Sequence, residues 1–219
     1  KRAFDLVAGI LALIILSPVF LILAIAIKAE DGGDVFFTQT RLTKGGKEFK
    51  MFKFRSMCPD AESKLEALMA LNEMNGPAFK IKEDPRITKV GHFIRKTSLD
   101  ELPQILNILK GDMSIVGPRP ERKVIADEYY KELPEFAYRL KVRGGLTGYA
   151  QIYGKYNTSA YDKLRLDLMY IENYSLLLDI KLIILTLRII FSKESTEGID
   201  KQQENQKKIE QLLKELDAE

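Results

Sequence analysis

One long apolar run near the start of the chain dominates the hydrophobic pattern. It extends from Leu6 to Ile27 and contains no charged residue over 22 positions. That length is enough to cross the core of a bilayer as a straight helix. Ser17 and Pro18 lie near its middle, where a proline removes a backbone donor and clashes with the preceding turn. Two shapes fit, a kinked spanning helix and a helix–break–helix hairpin that enters and leaves by one face, and the residues alone favour the kinked span.

Beyond this run the pattern changes to short alternating and periodic segments. Val35–Gln39 and Glu48–Met57 are typical of strands, with a hairpin turn at Thr43–Lys47. Met113–Val116 is a further short strand. Apolar residues at helical spacing predict helices over Pro59–Asn75, Pro103–Lys110, Glu121–Lys131 and Tyr161–Asn173. The predicted fold class is mixed α+β, mainly helical, with a small β-hairpin.

A second strongly apolar segment, Leu176–Phe191, lies late in the chain. It contains Asp179, Lys181 and Arg188, and a spanning helix rarely tolerates three charges. An amphipathic helix in the plane of the membrane, or a core helix, tolerates them well. The charged tail that follows has an apolar stripe suited to a partner helix or to a homodimer contact, made of Ile209, Leu212, Leu213 and Leu216.

Composition narrows the function classes. The 219 residues can bury one good core, with 46% hydrophobic and 30% charged residues. The net charge of +3 does not indicate nucleic-acid binding, and no basic run has interleaved aromatic residues. A single Cys58 excludes an internal disulfide and fits a reducing compartment. With one cysteine and one histidine, His92, the chain has no Cys/His metal cluster, and a lone histidine is usually structural.

The candidate chemistry is concentrated at Ser98–Gln104. Asp100 and Glu101 precede Pro103, which fits the first position of a short helix. Both carboxylates then lie just before a helix N-terminus, where amide donors favour anions. Basic residues surround the pair in sequence, namely Arg86, Lys89, Arg95, Lys96, Lys110 and Arg119. This pattern indicates chemistry on an anionic substrate at a bilayer surface, although Ser98 and Glu101 also match a structural capping box.

Two later segments carry weaker signals. Arg119 lies between two prolines, so a stiff backbone holds it as a fixed cation or as part of a rigid turn. Arg139–Ile152 is basic and rich in glycine, which lets a backbone approach a phosphate, but it has no Walker or Rossmann pattern.

Taken together, these segments resemble the bacterial sugar transferase family, the monotopic phosphoglycosyl transferases, and in particular the subgroup that loads a hexose phosphate. The resemblance covers about residues 1 to 198 in ordered blocks. These are KRAFD, SP in the apolar run, VFFTQTR, FKMFKFRSM, RITKVGHFIRKTSLDELPQILNILKGDMSIVGPRP, RGGLTGYAQI and YDKLRLDLMYIENYSLLLDIKLI. The family often has proline where Gly144 follows Arg143 here, and this difference loosens that turn.

The resemblance implies a reaction and a set of site residues. A hexose-1-phosphate moves from a UDP-sugar to polyprenol phosphate and UMP is released, in the first membrane-committed step of surface polysaccharide synthesis. The family's dyad falls on Asp100 and Glu101, with Asp100 as the nucleophile that forms an acyl-phosphate and as the residue near Mg²⁺. The matching cations that hold phosphate are Lys53, Arg95 and Arg119.

The resemblance also implies an arrangement at the membrane. It favours the re-entrant hairpin at Ser17–Pro18, over residues 1–30, and so reverses the preference drawn from the residues alone. Residues 31–198 then form a cytoplasmic transferase domain with in-plane amphipathic helices on the inner membrane of a bacterium, in contact with its lipids. Residues 199–219 form a charged amphipathic helix. Many members have extra N-terminal membrane helices, which suits a chain that starts without Met.

Two other functions fit the same residues. A membrane-anchored hydrolase of nucleotide-sugars would use the carboxylates as metal ligands and release UMP without the lipid. A non-enzymatic assembly protein would recruit partners through the C-terminal stripe.

Overall fold

The computed structural model describes residues 1–64, 84–154 and 158–191. Its first element, α1 (Arg2–Asp31), is the one helix of this described part that is long and apolar enough to cross a membrane by length and composition. Pro18 lies inside it, so the predicted helix–break–helix is corrected to one continuous helix. The reason is local, because Pro18 has no N–H for the carbonyl of Ile14 and the Ser17 hydroxyl donates to that carbonyl instead, at 2.8 Å.

Both ends of α1 are attached to the rest of the protein. At its start, Arg2 donates to the backbone carbonyls of Ile108 and Leu109, at 2.5 and 2.8 Å. At its end, Asp31 forms a bidentate ion pair with Arg55. The middle of the helix instead leaves large apolar side chains exposed, including Ile10, Leu11, Ile14, Ile15, Leu21, Ile22 and Ile25. A long apolar surface therefore lies between two anchored ends.

The predicted hairpin is confirmed. Strands β1 (Phe36–Leu42) and β2 (Glu48–Phe54) pair antiparallel around a short 3₁₀ turn at Lys44–Gly46. Phe54 at the end of β2 is fully buried and packs with Leu23, Ile27 and Ile94 in one apolar cluster. This cluster joins the hairpin to the second half of α1.

Of the remaining elements, the strand at Met113–Val116 and the helices that begin at Gln104, Lys123, Ala160 and Leu176 were predicted from the sequence, and the others were not. In chain order, the remaining elements are α2 (Lys89–Lys96), a 3₁₀ turn (Leu99–Glu101), α3 (Gln104–Lys110), β3 (Met113–Val116), α4 (Lys123–Glu132), a 3₁₀ segment (Pro134–Lys141), β4 (Gly144–Thr147), α5 (Tyr149–Ile152), α6 (Ala160–Asn173) and α7 (Leu176–Phe191). The helix predicted over Pro103–Lys110 ends at Lys110 as expected, because Gly111 after it has a left-handed φ of 95°. Strand β3 pairs with β4 in parallel.

Helix α7 has features of both alternatives predicted for it, a core helix and an amphipathic helix in the plane of the membrane. Leu182 is fully buried in a core cluster with Tyr170 and Val116, and Asp179 is buried in an ion pair with Lys1, at 2.5 Å. The opposite side exposes Leu176, Leu177, Ile180, Ile184 and Leu187, along with Lys181 and Arg188. One side of α7 is therefore core, and the other has the composition of an interfacial helix.

Two predicted segments lie largely or wholly outside the described residues. The helix predicted over Pro59–Asn75 is described only as far as residue 64, where the chain forms turns. The helix predicted over 199–219 is outside the described residues entirely. The domain boundaries stay predictions.

One buried ion pair should contribute strongly to stability. Arg139 donates to Asp167 at 2.5 Å, and the side chains are 5% and 1% exposed. We expect Arg139→Met to lower the free energy of unfolding by about 3–5 kcal/mol, because it leaves Asp167 buried without its partner. Thermal unfolding in detergent measures this effect, and adding Asp167→Leu should restore part of the loss.

The matched control is Lys123→Met, which breaks an exposed pair with Asp127 and should leave the melting temperature nearly unchanged. Equal melting of Arg139→Met and wild type would contradict the assignment.

Candidate active site

The two adjacent carboxylates lie on a turn that is fixed from both sides. Asp100 and Glu101 occupy the 3₁₀ turn between α2 and α3, and Leu99 and Leu102 beside them pack against the apolar cluster of α1. Ser98, just before the turn, has a φ of 56°, which a residue other than glycine rarely adopts. The turn is thus anchored next to α1, and the two carboxylates are partly exposed.

Glu101 has partners on both carboxylate oxygens. Its Oε1 accepts hydrogen bonds from Lys53 Nζ at 2.6 Å and Arg119 Nη2 at 2.7 Å. Its Oε2 accepts from the side-chain amide of Gln104. Burial raises the pKa of Glu101, but the charges of Arg119 and Lys53 outweigh burial and hold that pKa well below its usual range. Glu101 is therefore an ionised counter-charge to two cations.

Asp100 is in a different environment. Its Oδ2 is 3.6 Å from Lys53 Nζ, and within the described part of the chain no hydrogen bond reaches its carboxylate. Burial raises the pKa of Asp100, the charge of Lys53 opposes this, and the charge of Glu101 adds to it. Two neighbouring carboxylates with pKa values pushed apart are typical of a site in which each has its own role. Among the described residues, the Asp100 carboxylate accepts no hydrogen bond, whereas the Glu101 carboxylate is held by three donors.

Arg119 lies on a loop shaped by the glycine-rich segment. The N–H of Gly117 donates to the carbonyl of Thr147, and the N–H of Gly145 donates to the carbonyl of Pro118, both at 2.8 Å. A Cβ on Gly145 would lie 2.1 Å from the backbone nitrogen of Gly117, so only glycine allows this approach. The glycine-rich segment, whose backbone could approach a phosphate, packs here against the loop that presents Arg119.

A second charged network supports the same loop. Glu121 accepts a hydrogen bond from Lys163 at 2.6 Å and lies 3.8 Å from both Arg41 and Arg139. Arg139 also donates to the backbone carbonyl of Arg119, at 2.9 Å. Burial, and then the charge of Arg119, lower the pKa of Arg41 to about 10. These groups fix the backbone on which Arg119 is carried.

The structure brings four of the five predicted polar site residues together. Lys53, Asp100, Glu101 and Arg119 form one contact network, joined by the contacts described above. Arg95 is exposed on α2 and makes no ion pair with the dyad in the described chain, although its charge lowers the pKa of Asp100.

Sequence reasoning missed three residues of this region, namely Arg41, Gln104 and Arg139. Gln104 had a usable signal, because it lies three positions after Glu101 at the start of a helix. Arg41 and Arg139 had none, since their partners are distant in sequence.

The carboxylates of the site can be compared with the ligands that the predicted Mg²⁺ needs. Among the described residues, no group of three or more His, Cys, Asp or Glu side chains is placed to hold a metal. Both oxygens of Glu101 are occupied, so the free carboxylate is that of Asp100. Mg²⁺ is usually bound by one or two carboxylates together with substrate phosphates and waters. Among the described residues, Asp100 is therefore the carboxylate that would hold a Mg²⁺ arriving with a phosphorylated substrate.

Comparison with known proteins gives the family. A family model described as bacterial sugar transferase matches residues 1–193. The chain belongs to the bacterial sugar transferase family.

The curated relatives are similar over most of this chain. One is a UDP-N-acetylgalactosamine-undecaprenyl-phosphate N-acetylgalactosaminephosphotransferase of Aeromonas hydrophila, 41% identical over 88% of this chain and 44% of its own length. Another is a UDP-glucose:undecaprenyl-phosphate glucose-1-phosphate transferase of Escherichia coli, 44% identical over 85% of this chain and 39% of its own. A third is the exopolysaccharide production protein ExoY of Sinorhizobium fredii, 42% identical over 85% of this chain and 83% of its own. The chain thus spans less than half the length of the first two.

The opposite effects of Lys53 and Glu101 on Asp100 can be measured directly. We expect Lys53→Met to raise the pKa of Asp100, because it removes a nearby positive charge, and Glu101→Gln to lower it, because it removes a negative one. The measurement is a pH titration of the Asp100 carboxyl carbon by NMR in detergent without Mg²⁺, with Asp100→Asn to assign the signal. Shifts of the same sign in both variants would contradict this electrostatic arrangement.

Proposed function

We propose that the chain transfers a hexose-1-phosphate from a UDP-sugar to polyprenol phosphate, through a covalent intermediate on Asp100, with release of UMP. The observation that carries the proposal is the divided dyad, in which Asp100 has a free carboxylate and Glu101 is bound to two cations. The relatives support the choice of substrates, since two of them are named as transferases that use undecaprenyl phosphate.

The first step forms a covalent bond to the protein. An oxygen of the Asp100 carboxylate attacks the phosphorus that bears the sugar, the bond from that phosphorus to the bridging oxygen breaks, and UMP leaves with the electron pair. Lys53 and Arg119 stabilise the negative charge on the phosphoryl oxygens, which would otherwise repel the carboxylate. Mg²⁺, when bound, supplies further charge neutralisation on the diphosphate.

The second step releases the product. A phosphate oxygen of polyprenol phosphate attacks the same phosphorus, and the Asp100 carboxylate leaves with its bonding electrons. The product is a polyprenyl diphosphate sugar, and Asp100 returns to its starting state. Splitting one displacement into two in this way is the general logic of nucleophilic catalysis.

Glu101 acts in this proposal as the residue that holds the cations. Its low pKa makes it a poor proton acceptor, and Lys53, Arg119 and Gln104 already bind both of its oxygens. Its negative charge keeps Lys53 and Arg119 within 2.7 Å of one oxygen, so both cations are in place before a phosphate arrives. Arg95, exposed on α2, is a third cation available to the diphosphate.

The contacts of α1 support an attachment in which both ends of this continuous helix lie on one face of the membrane. Arg2 at its start contacts α3, and Asp31 at its end contacts Arg55 just after β2, so both ends are held by the same body of protein. A span would place these two ends on opposite sides of the bilayer. The exposed side of α7, with Lys181 and Arg188, suits the same surface. The cytoplasmic face of the bacterial inner membrane fits the basic residues Lys1 and Arg2.

Asp100→Asn should abolish transfer while leaving the protein folded. We expect a loss of roughly a thousandfold or more in turnover, because the amide cannot form the covalent intermediate. UMP release is measured with a panel of UDP-hexoses and Mg²⁺, with and without polyprenol phosphate. Asp127→Asn, which changes an aspartate of a surface ion pair on α4, is the matched control and should retain activity.

The outcomes separate the candidate functions. Release that requires the lipid, with one preferred hexose, supports the transferase and its place at the membrane-committed step of polysaccharide synthesis. Release without the lipid would identify a hydrolase. Near-normal activity of Asp100→Asn would remove Asp100 from its assigned role, and a folded wild type with no activity on any donor would favour an assembly protein.

The topology has its own test. In a Cys58→Ser background, single cysteines at the exposed positions Ala3 and Ala29 report the side on which each end of α1 lies. We expect a membrane-impermeant thiol reagent to label both from the same side of sealed vesicles, since both ends contact one body of protein. Labelling from opposite sides would show that α1 spans the membrane.

A further inference from the structure

Helix α3 has two buried polar side chains on one face. Gln104 and Asn107 are three positions apart, and they are 1% and 0% exposed. Buried amides are costly unless they are hydrogen-bonded, and both of these are. Their partners belong to the two segments that carry the site residues.

Asn107 binds the edge of β2 that does not face β1. Its Oδ1 accepts from the backbone N–H of Phe52 at 2.9 Å, and its Nδ2 donates to the backbone carbonyl of Lys50 at 2.8 Å. This is the pair of hydrogen bonds that one residue of a neighbouring strand would make. The Asn107 side chain thus satisfies the backbone hydrogen-bonding groups on the open edge of β2, next to Lys53.

Gln104 binds the other half of the site. Its Nε2 donates to Oε2 of Glu101, whereas Oε1 of the same carboxylate accepts from Lys53 and Arg119. A carboxylate with a donor on each oxygen has a fixed rotation about its terminal bond. Gln104 therefore fixes the direction in which Glu101 holds the two cations.

We infer that Gln104 and Asn107 are positioning residues that set, from one face of α3, the separation between Lys53 and the dyad. Asn107 fixes the backbone next to Lys53, and Gln104 fixes the carboxylate that Lys53 binds. The inference rests on the proposed function for its kinetic consequence, because Lys53 acts on the reacting phosphate there. A displacement of about 1 Å at such a site can cost about a hundredfold in rate.

Helix α3 is a suitable template because it is anchored at both ends. The dyad turn precedes it, and Arg2 of α1 donates to the carbonyls of Ile108 and Leu109 near its end. The same seven residues therefore connect the hairpin, the dyad and the start of the membrane helix.

A double-mutant cycle tests the inference. Gln104→Met keeps the side-chain length and removes the amide, and we expect kcat/KM to fall roughly ten- to hundredfold. In a Lys53→Met background the same change should cost clearly less than in the wild type, because one of the two cations that Glu101 holds is already absent. Equal fold losses in both backgrounds, or no loss in Gln104→Met alone, would overturn the role of Gln104. Asn173→Leu, which removes an exposed amide on α6, is the control and should leave activity unchanged.

Asn107 has a readout that does not depend on activity. Asn107→Leu removes the acceptor for the Phe52 N–H, so amide hydrogen exchange at Phe52 should become at least about tenfold faster. Asn107→Asp keeps that acceptor but loses the donor to the Lys50 carbonyl, so exchange at Phe52 should rise by less than about tenfold. Unchanged exchange in a folded Asn107→Leu would overturn the role of Asn107, and Asn107→Asp still tests it if the leucine variant does not fold. If the wild type has no transfer activity, the proposed function is wrong, and the exchange experiment still tests whether Asn107 binds the backbone of β2.

Discussion

The ion pairs of Glu101 are the interaction on which the site depends. One carboxylate oxygen binds both Lys53 from the hairpin and Arg119 from the loop after β3, at 2.6 and 2.7 Å. Two cations at this spacing repel each other, and the carboxylate compensates for that repulsion in a partly buried place. Because Glu101 has this role, its neighbour Asp100 retains an unbonded carboxylate close to a positive charge. The division of roles between two adjacent acidic residues thus follows from which of them binds the cations.

Helix α1 and the site are parts of one arrangement. Leu99 and Leu102 on either side of the dyad pack into the same cluster as Leu23 and Ile27 of α1. The start of α1 is tied to α3 through Arg2, and α3 follows the dyad directly. The carboxylates are therefore held beside the one long apolar helix of the described chain. The proposed transfer from a water-soluble donor to a lipid acceptor requires this proximity.

Local sequence signals predicted much of the fold. The hairpin, β3, α6 and the helix end at Gly111 follow from alternation, periodicity and the left-handed preference of glycine, which act over a few residues. The helix–break–helix predicted at Pro18 is wrong, since the helix is continuous there. The Ser17 hydroxyl donates to the Ile14 carbonyl in place of the missing Pro18 N–H, and helix propensities do not account for such a side-chain contact. The predicted helix over Pro59–Asn75 and the predicted C-terminal helix stay predictions.

By itself, the sequence determined the dyad, its place before α3 and the apolar run, because each is encoded by neighbouring residues. Its resemblance to a family also indicated Lys53 and Arg119, which the structure joins to Glu101. Only the tertiary structure decided which carboxylate is held and which is free, and that Arg95 stands apart from the dyad. It also placed Asn107 against β2 and Arg139 behind Arg119. The physical reason is that charges and hydrogen bonds depend on distance in space, and these partners are 18 to 55 residues apart in the chain.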